Sequence, residues 1–169
     1  AFPLGDSLVL LTVYDGTFAS DSILITVTVQ DTTPPEIANL AITPECLWPP
    51  NHKFVPFQLG DDLAASVTDA CDPLPLLVVE GIDSDESPGK NDPDFVSGPE
   101  GFCLRSERDG RGDGREYLVS VEASDASGNT SVNAAVVRVP HSAVGVATCP
   151  SLPDVGAFVE DGSAVCQFP

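Results

Sequence analysis

Two segments of this chain repeat one β-hairpin pattern about 110 residues apart, and this repeat constrains the fold more than any other feature. In the second copy, residues 116–139, apolar and polar residues alternate on both sides of an acidic turn at residues 125–129. Alternation with a period of two is typical of half-buried strands, and Asp, Ser, Gly and Asn favour turns. The first copy, residues 9–29, shows the same alternation around a turn at residues 14–17. The pattern therefore predicts two copies of one hairpin.

The two hairpins differ in what precedes them. The second follows a long stretch of short apolar runs that can supply further strands, whereas almost nothing precedes the first. The sequence thus predicts one complete β-domain at residues 36–141 and the last two strands of another at residues 1–30. Residues 31–35 contain two prolines and are predicted to be a stiff linker. Residues 142–169 lack periodicity and are predicted to be an irregular tail held by a disulfide.

Composition agrees with an all-β protein. The chain has 16 Pro, 14 Gly and no Met among 169 residues, and hardly any stretch has a helical period. No apolar run is long enough to span a membrane, and the N-terminus has no basic segment of the kind that opens a signal peptide. An antiparallel sandwich is therefore expected.

Charge and cysteine content indicate the surroundings of the protein. A net charge of −19, with only seven Lys and Arg, disfavours nucleic acid and anionic lipid as partners. It favours bound cations or a salty exterior, although a merely soluble acidic surface is the alternative. Five cysteines without a C-x-x-C pair disfavour zinc and favour disulfides, which form in oxidising, extracytoplasmic compartments.

A family resemblance rests on six short stretches. They are residues 47–53 (LWPPNHK), 69–73 (DACDP), 104–108 (LRSER), 112–115 (GDGR), 123–129 (ASDASGN) and 137–141 (VRVPH). As a set they resemble the immunoglobulin-like modules of large secreted bacterial surface proteins, which are akin to cadherin-like, polycystic-kidney-disease and hyalin-type repeats. The resemblance covers residues 31–141, with residues 1–30 as the end of a preceding repeat. It implies a seven-stranded immunoglobulin-like antiparallel sandwich that serves outside the cell as a spacer, an adhesive unit or a calcium-stiffened stalk.

That topology brings acidic turns together. With seven strands placed in order, the linker and the turns after the second and sixth strands lie at one end of the sandwich. The predicted metal ligands at this end are Asp31, Asp69, Asp72, Asp125 and Asn129. Carboxylate and amide oxygens suit Ca²⁺, which takes six to eight oxygen ligands. The alternative is that Asp and Asn only form turns.

The same topology suggests disulfides. Cys71 is expected to end the second strand beside Cys103 on the fifth, so these two are predicted to pair. Cys46 is predicted to bond Cys149 or Cys166; alternatively the two tail cysteines pair and Cys46 remains odd, free to bond another subunit.

The remaining motifs give weaker indications of function. Residues 111–113 spell Arg-Gly-Asp, but a tripeptide arises often by chance and integrin binding is not expected. Tyr117, four residues after Asp113, resembles the tyrosine corner of immunoglobulin-like sandwiches, a structural feature. His52 and His141 have no nucleophile motif beside them, and no hydrolase, zinc-protease or phosphate-binding signature is present, so we expect no enzyme.

The first hairpin predicts an assembly surface. Its inner face, called the hairpin face below, consists of Val9, Leu11, Val13, Ile23, Ile25, Val27 and Val29. A two-stranded hairpin cannot bury such a face itself, and its edges are open to strand addition. We therefore expect an extracellular structural or adhesive subunit that binds other copies of itself head to tail, with residues 142–169 as the donor, and forms a filament. The alternatives are a carbohydrate- or protein-binding module of a secreted hydrolase, which the scarcity of aromatic residues disfavours, and a spacer fragment of a longer protein.

Overall fold

The computed structural model describes residues 1–17, 20–88, 93–98, 100–143 and 149, and two short strands at 159–160 and 163–164. Every regular element of more than one residue in these ranges is a strand. In chain order the strands are β1 Gly5–Tyr14, β2 Ser20–Val29, β3 Glu36–Ile42, β4 Phe54–Gln58, β5 Leu63–Thr68, β6 Leu76–Ser84, β7 Phe95–Gly98, β8 Gly101–Arg105, β9 Gly114–Ser124, β10 Thr130–Pro140, β11 Val159–Glu160 and β12 Ser163–Ala164. The described residues contain no helix long and apolar enough to cross a membrane.

Residues 36–140 form two antiparallel layers. One layer has the order β10-β9-β6. The other consists of the pair β3-β5 and the sheet β4-β8-β7. Strands β4 and β5 are two halves of one strand, broken at residues 59–62, where Gly60 has a φ of 93° that favours glycine. Counted this way the unit has seven strands, so the predicted all-β antiparallel sandwich preceded by a hairpin is confirmed.

The core lies between the two layers because each strand turns alternate side chains inward. Its buried members are Ile42, Leu47, Val55, Phe57, Leu63, Ile82, Phe102, Leu104, Tyr117, Val119, Val121, Val137 and Val139. The rings of Phe57 and Phe102 stack with centroids 5.1 Å apart. In the proline-rich crossing before β4, Leu47 is fully buried whereas Trp48 is only half-buried. The crossing therefore contributes its leucine to the core.

Both predicted hairpins form, and they share one register. Val9 pairs with Ile25 in β1–β2, and Val119 pairs with Ala135 in β9–β10, each residue 110 positions further on. The hairpin face of β1–β2 is exposed or half-exposed, whereas the matching face of β9 is buried in the core. Most of the tail that we expected to donate strands, residues 142–169, lies outside the described residues.

The cysteines correct one prediction. Cys46 and Cys149 form a disulfide with Cα atoms 5.2 Å apart, which is one of the predicted alternatives. The predicted Cys71–Cys103 bond is wrong, because Cys71 is a free, exposed thiol. Cys103 on β8 lies opposite Pro56 in β4 and is itself disulfide-bonded, so it is not the partner of Cys71. The predicted pairing of Cys166 lies outside the described residues.

Candidate metal centre

Three carboxylates from separate segments meet at one end of the sandwich. Asp31 comes from the linker after β2, Asp69 from the turn between β5 and β6, and Asp125 from the turn between β9 and β10. One oxygen of each lies within 4.8 Å of the others. The topology explains the meeting, because both turns and the linker emerge at the same end of the two layers. We call these three residues the acidic trio.

Backbone N–H groups fix the first two carboxylates and leave an oxygen of each free. Oδ1 of Asp69 accepts hydrogen bonds from the amides of Cys71 and Asp72, both at 2.8 Å. Oδ1 of Asp31 accepts one from the amide of Thr33 at 3.1 Å. The remaining Oδ2 of each is buried, and no donor in the described ranges bonds to it. Buried carboxylate oxygens without partners are costly, so these two atoms mark a place for a ligand.

The third carboxylate is held most tightly. Oδ1 of Asp125 accepts hydrogen bonds from the amides of Ser127 and Asn129 at 2.9 and 2.8 Å. Oδ2 accepts one from the side-chain amide of Asn129 at 2.7 Å. Burial opposes the charge, but the hydrogen bonds from Asn129, Ser127 and Gly128 together hold the pKa of Asp125 below its ordinary value. Asp125 therefore stays an anion at neutral pH.

The other two predicted ligands hold the turns together instead of joining the trio. Oδ1 of Asp72 accepts a hydrogen bond from the amide of Leu74, and Oδ2 accepts one from the amide of Ala126. Asp72 therefore joins the β5–β6 turn to the β9–β10 turn. Nδ2 of Asn129 also donates to the backbone carbonyl of Asp31 at 3.3 Å, which fastens the linker to the β9–β10 turn. These contacts keep the trio assembled without placing either side chain in the three-carboxylate group.

Cys71 lies beside the trio instead of in the predicted disulfide with Cys103. Desolvation of the thiol, the charges of Asp31 and Asp69 and a hydrogen bond with the side chain of Asp31 raise the pKa of Cys71 above its ordinary value. The sulfur is therefore a protonated thiol at neutral pH and a poor metal ligand. The donors available at this end are oxygens.

A second charged cluster lies near the start of β9. The guanidinium of Arg115 is buried, with Nη1 at 2.7 Å from Asp94 Oδ2 and Nε at 3.1 Å from Glu86 Oε2. The hydroxyl of Tyr117 donates to the carbonyl of Arg105 at 2.8 Å and accepts from Arg115 at 3.3 Å. Tyr117 thus fastens β9 to the end of β8, a structural role as predicted, without Asp113. The alternation of β9 could have revealed Arg115, because it shares the inward phase of Tyr117 and Val119.

The remaining predicted candidates lie apart from one another. Nδ1 of His52 is 3.2 Å from Glu107, and Nε2 of His141 is 3.2 Å from the carbonyl of Gly110. The amide of Arg111 donates to Asp109 in the turn before β9. These contacts are those of ordinary turn and surface residues, so the acidic trio is the best candidate site in the described part of the chain.

Comparison with known proteins gave no match to a protein-family model, a curated protein or a solved structure. The resemblance to immunoglobulin-like surface modules accordingly stays a prediction from the sequence, and the function rests on the geometry of the site.

Proposed function

We propose that this protein is an extracellular structural spacer in which Ca²⁺ stiffens the junction between the β1–β2 hairpin and the following sandwich. The observation that carries the proposal is the acidic trio, where one carboxylate from the linker meets two from the sandwich within 4.8 Å. An ion held there would tie the linker to the body of the domain.

The donor set fits calcium. Ca²⁺ binds oxygen at 2.3–2.6 Å, so two ligands of one ion lie at most about 5.2 Å apart. The trio falls within that limit, and two of its oxygens are buried without partners. Three carboxylates so close repel one another, and none of the ion pairs in the described ranges involves them. A divalent cation would relieve that repulsion, while backbone carbonyls and water complete its coordination.

The position of the trio connects binding to a mechanical role. One residue separates Asp31 from the end of β2, and Pro34 and Pro35 stiffen the rest of the linker. Fixing Asp31 to the two turns therefore restricts the direction in which the hairpin leaves the sandwich. The Cys46–Cys149 disulfide supports an extracytoplasmic location. Outside the cell, calcium modules bind with Kd values of about 10⁻⁴–10⁻³ M, a range that three carboxylates can supply.

Thermal unfolding with and without calcium tests the proposal. Ca²⁺ should raise the Tm, because a ligand that binds only the folded state stabilises it by mass action. Asp69→Asn should abolish this shift while keeping the backbone hydrogen bonds to Oδ1. Asp62→Asn is the matched control. Asp62 is also half-buried, and its carboxylate accepts a hydrogen bond from the backbone amide of Gln58 at 2.9 Å, but it lies outside the trio.

The control variant should respond to calcium as the unchanged protein does. A Tm that does not depend on calcium in the unchanged protein would refute the proposal. An equal calcium response in the Asp69 and Asp62 variants would also refute it, because the ion would then bind elsewhere.

A further inference from the structure

The β1–β2 hairpin matches the β9–β10 hairpin in more than its pattern. The pairs Val9–Ile25 and Leu11–Ile23 correspond, 110 residues on, to Val119–Ala135 and Val121–Asn133. One shared register over two pairs of strands also requires connecting turns of equal length. The two hairpins are therefore the same structural unit.

The turns match as well. The amide of Thr17 donates to Oδ1 of Asp15 at 2.7 Å, as the amide of Ser127 donates to Oδ1 of Asp125 at 2.9 Å. Asp15 and Asp125 are again 110 residues apart. The carboxylate that begins the second turn and joins the acidic trio thus has a counterpart in the first hairpin.

The surroundings of the two hairpins differ. In β9–β10 the face that contains Val119, Val121 and Val137 is buried against side chains of strands β3–β8. The equivalent hairpin face of β1–β2 is open along β1: Leu11 is 51% exposed and Val13 is 63% exposed, whereas their counterparts Val121 and Ala123 are fully buried. The outer faces, by contrast, agree, because Leu8 and its counterpart Leu118 are both exposed. Only the inner face of the first hairpin lacks the cover that its equivalent has.

We propose that the hairpin face is covered by a set of strands equivalent to β3–β8, carried by a module upstream in the same polypeptide, so that β1–β2 close a second sandwich of this kind. The occupant follows from the register, because the same hairpin geometry in β9–β10 already receives that strand set. A second copy of this chain is the poorer donor. The β3–β8 set in the described residues is occupied by β9–β10, which would have to be displaced. Residues 31–35 then connect one module to the next.

Two fusions of equal length test this proposal. In the test fusion, residues 31–113 precede residues 4–169, so that β1–β2 follow a copy of β3–β8 at the natural spacing. In the control fusion, residues 31–140 precede residues 31–169, so that the added strands receive their own β9–β10 hairpin. The cysteines of the added segment are changed to alanine in both. The two proteins differ only in whether residues 4–30 or residues 114–140 close the first module.

Hydrogen exchange and sedimentation provide the readout. We expect the test fusion to be a monomer in which the added strands and β1–β2 are protected as in the control fusion. Leu11→Asp should abolish that protection, because the counterpart Val121 is buried in the core. Leu10→Asp should leave it unchanged, since Leu10 lies on the outer face at 63% exposure.

Three results would overturn the proposal. One is an added segment that exchanges like unfolded chain in the test fusion while it is protected in the control fusion. Another is an equal effect of the two leucine substitutions. The third is a native chain that sediments as an oligomer with β1–β2 protected, because another copy would then cover the hairpin face and the expected filament would be the better explanation.

Discussion

At the scale of single residues, the buried face of β9 carries a guanidinium among aliphatic side chains. Arg115 is 2% exposed and its charge is balanced by Glu86 and Asp94. Breaking a buried pair by removing one partner leaves an uncompensated charge and costs more than the pair contributes. Desolvation lowers the pKa of Arg115, but the interactions with Asp94, Tyr117 and Glu86 outweigh it and raise this pKa above its ordinary value. This cluster fixes how β9 meets the segments around β7 and β8.

The hydroxyl of Tyr117 gives the first prediction. Tyr117→Phe should lower the free energy of unfolding by about 1–3 kcal/mol, because it leaves buried polar groups without a partner. Tyr14→Phe is the matched control: Tyr14 is 73% exposed, and the change should stay within about 0.5 kcal/mol. Urea unfolding at neutral pH measures both. Equal losses in the two variants would contradict the buried hydrogen bond.

The same residue predicts how stability depends on alkaline pH. Burial, partly offset by Arg115, raises the pKa of Tyr117 to about 12. In the unfolded chain tyrosine ionises near pH ~10, so the folded chain holds this proton more tightly. The contribution to stability is therefore complete below pH ~10 and is lost as the pH rises through ~12. Two pK units correspond to about 2–3 kcal/mol.

Urea unfolding across this alkaline range should show a steeper loss of stability in the unchanged protein than in Tyr117→Phe. The variant serves as the reference because it retains the other groups that titrate in the same range. Parallel curves for the two proteins would show that Tyr117 does not couple folding to pH.

Residues of the candidate site show how far sequence reasoning reaches. Asp31, Asp69 and Asp125 could be predicted together because turn positions at one end of a sandwich follow from strand count alone. The roles of Asp72 and Asn129 could not, because they depend on which backbone amide lies within hydrogen-bond distance. Composition cannot distinguish a carboxylate that holds a turn from one that faces a ligand.

At the scale of elements, the broken strand β4–β5 explains the error in the predicted disulfides. The apolar runs on either side of Gly60-Asp61-Asp62 form β4 and β5. The pairing of each half could not be read from the sequence: β5 pairs with β3, whereas β4 pairs with β8. The predicted disulfide required the end of β5 to lie beside β8, because it placed Cys71 next to Cys103. Only the β4 half of the broken strand pairs with β8.

The observed disulfide gives the third prediction. Cys149→Ala should lower the free energy of unfolding by roughly 2–5 kcal/mol, because the Cys46–Cys149 bond closes a loop of 103 residues in sequence separation. Cys71→Ala is the control. Because that thiol is free and exposed, the substitution should leave the free energy of unfolding unchanged. Urea midpoints measure the loss, and a non-reducing peptide map should show Cys46 linked to Cys149. Equal urea midpoints for the two variants would show that the Cys46–Cys149 disulfide does not stabilise the fold.

At the scale of the whole molecule, the sandwich β3–β10 has a buried core, whereas the β1–β2 hairpin has an exposed apolar face. The core cluster draws all its buried members from residues 42–139 and none from β1–β2. The hairpin is therefore joined to the sandwich mainly through the linker, where the side-chain amide of Asn129 donates to the carbonyl of Asp31 and the hydroxyl of Ser131 donates to the carbonyl of Pro35. With a net charge of −19, the two units also tend to repel each other unless cations are bound.

This arrangement predicts that calcium changes how the two units move. Without calcium, ¹⁵N relaxation should show β1–β2 amides reorienting faster than β3–β10 amides, because a linker held by few contacts permits independent motion. Calcium should bring the two correlation times together, since an ion on the acidic trio ties Asp31 to both sandwich turns. In Asp69→Asn the difference should persist at any calcium concentration, whereas Asp62→Asn should behave as the unchanged protein. If calcium raises the Tm but leaves the hairpin reorienting independently, the ion stabilises the sandwich alone and does not stiffen the junction.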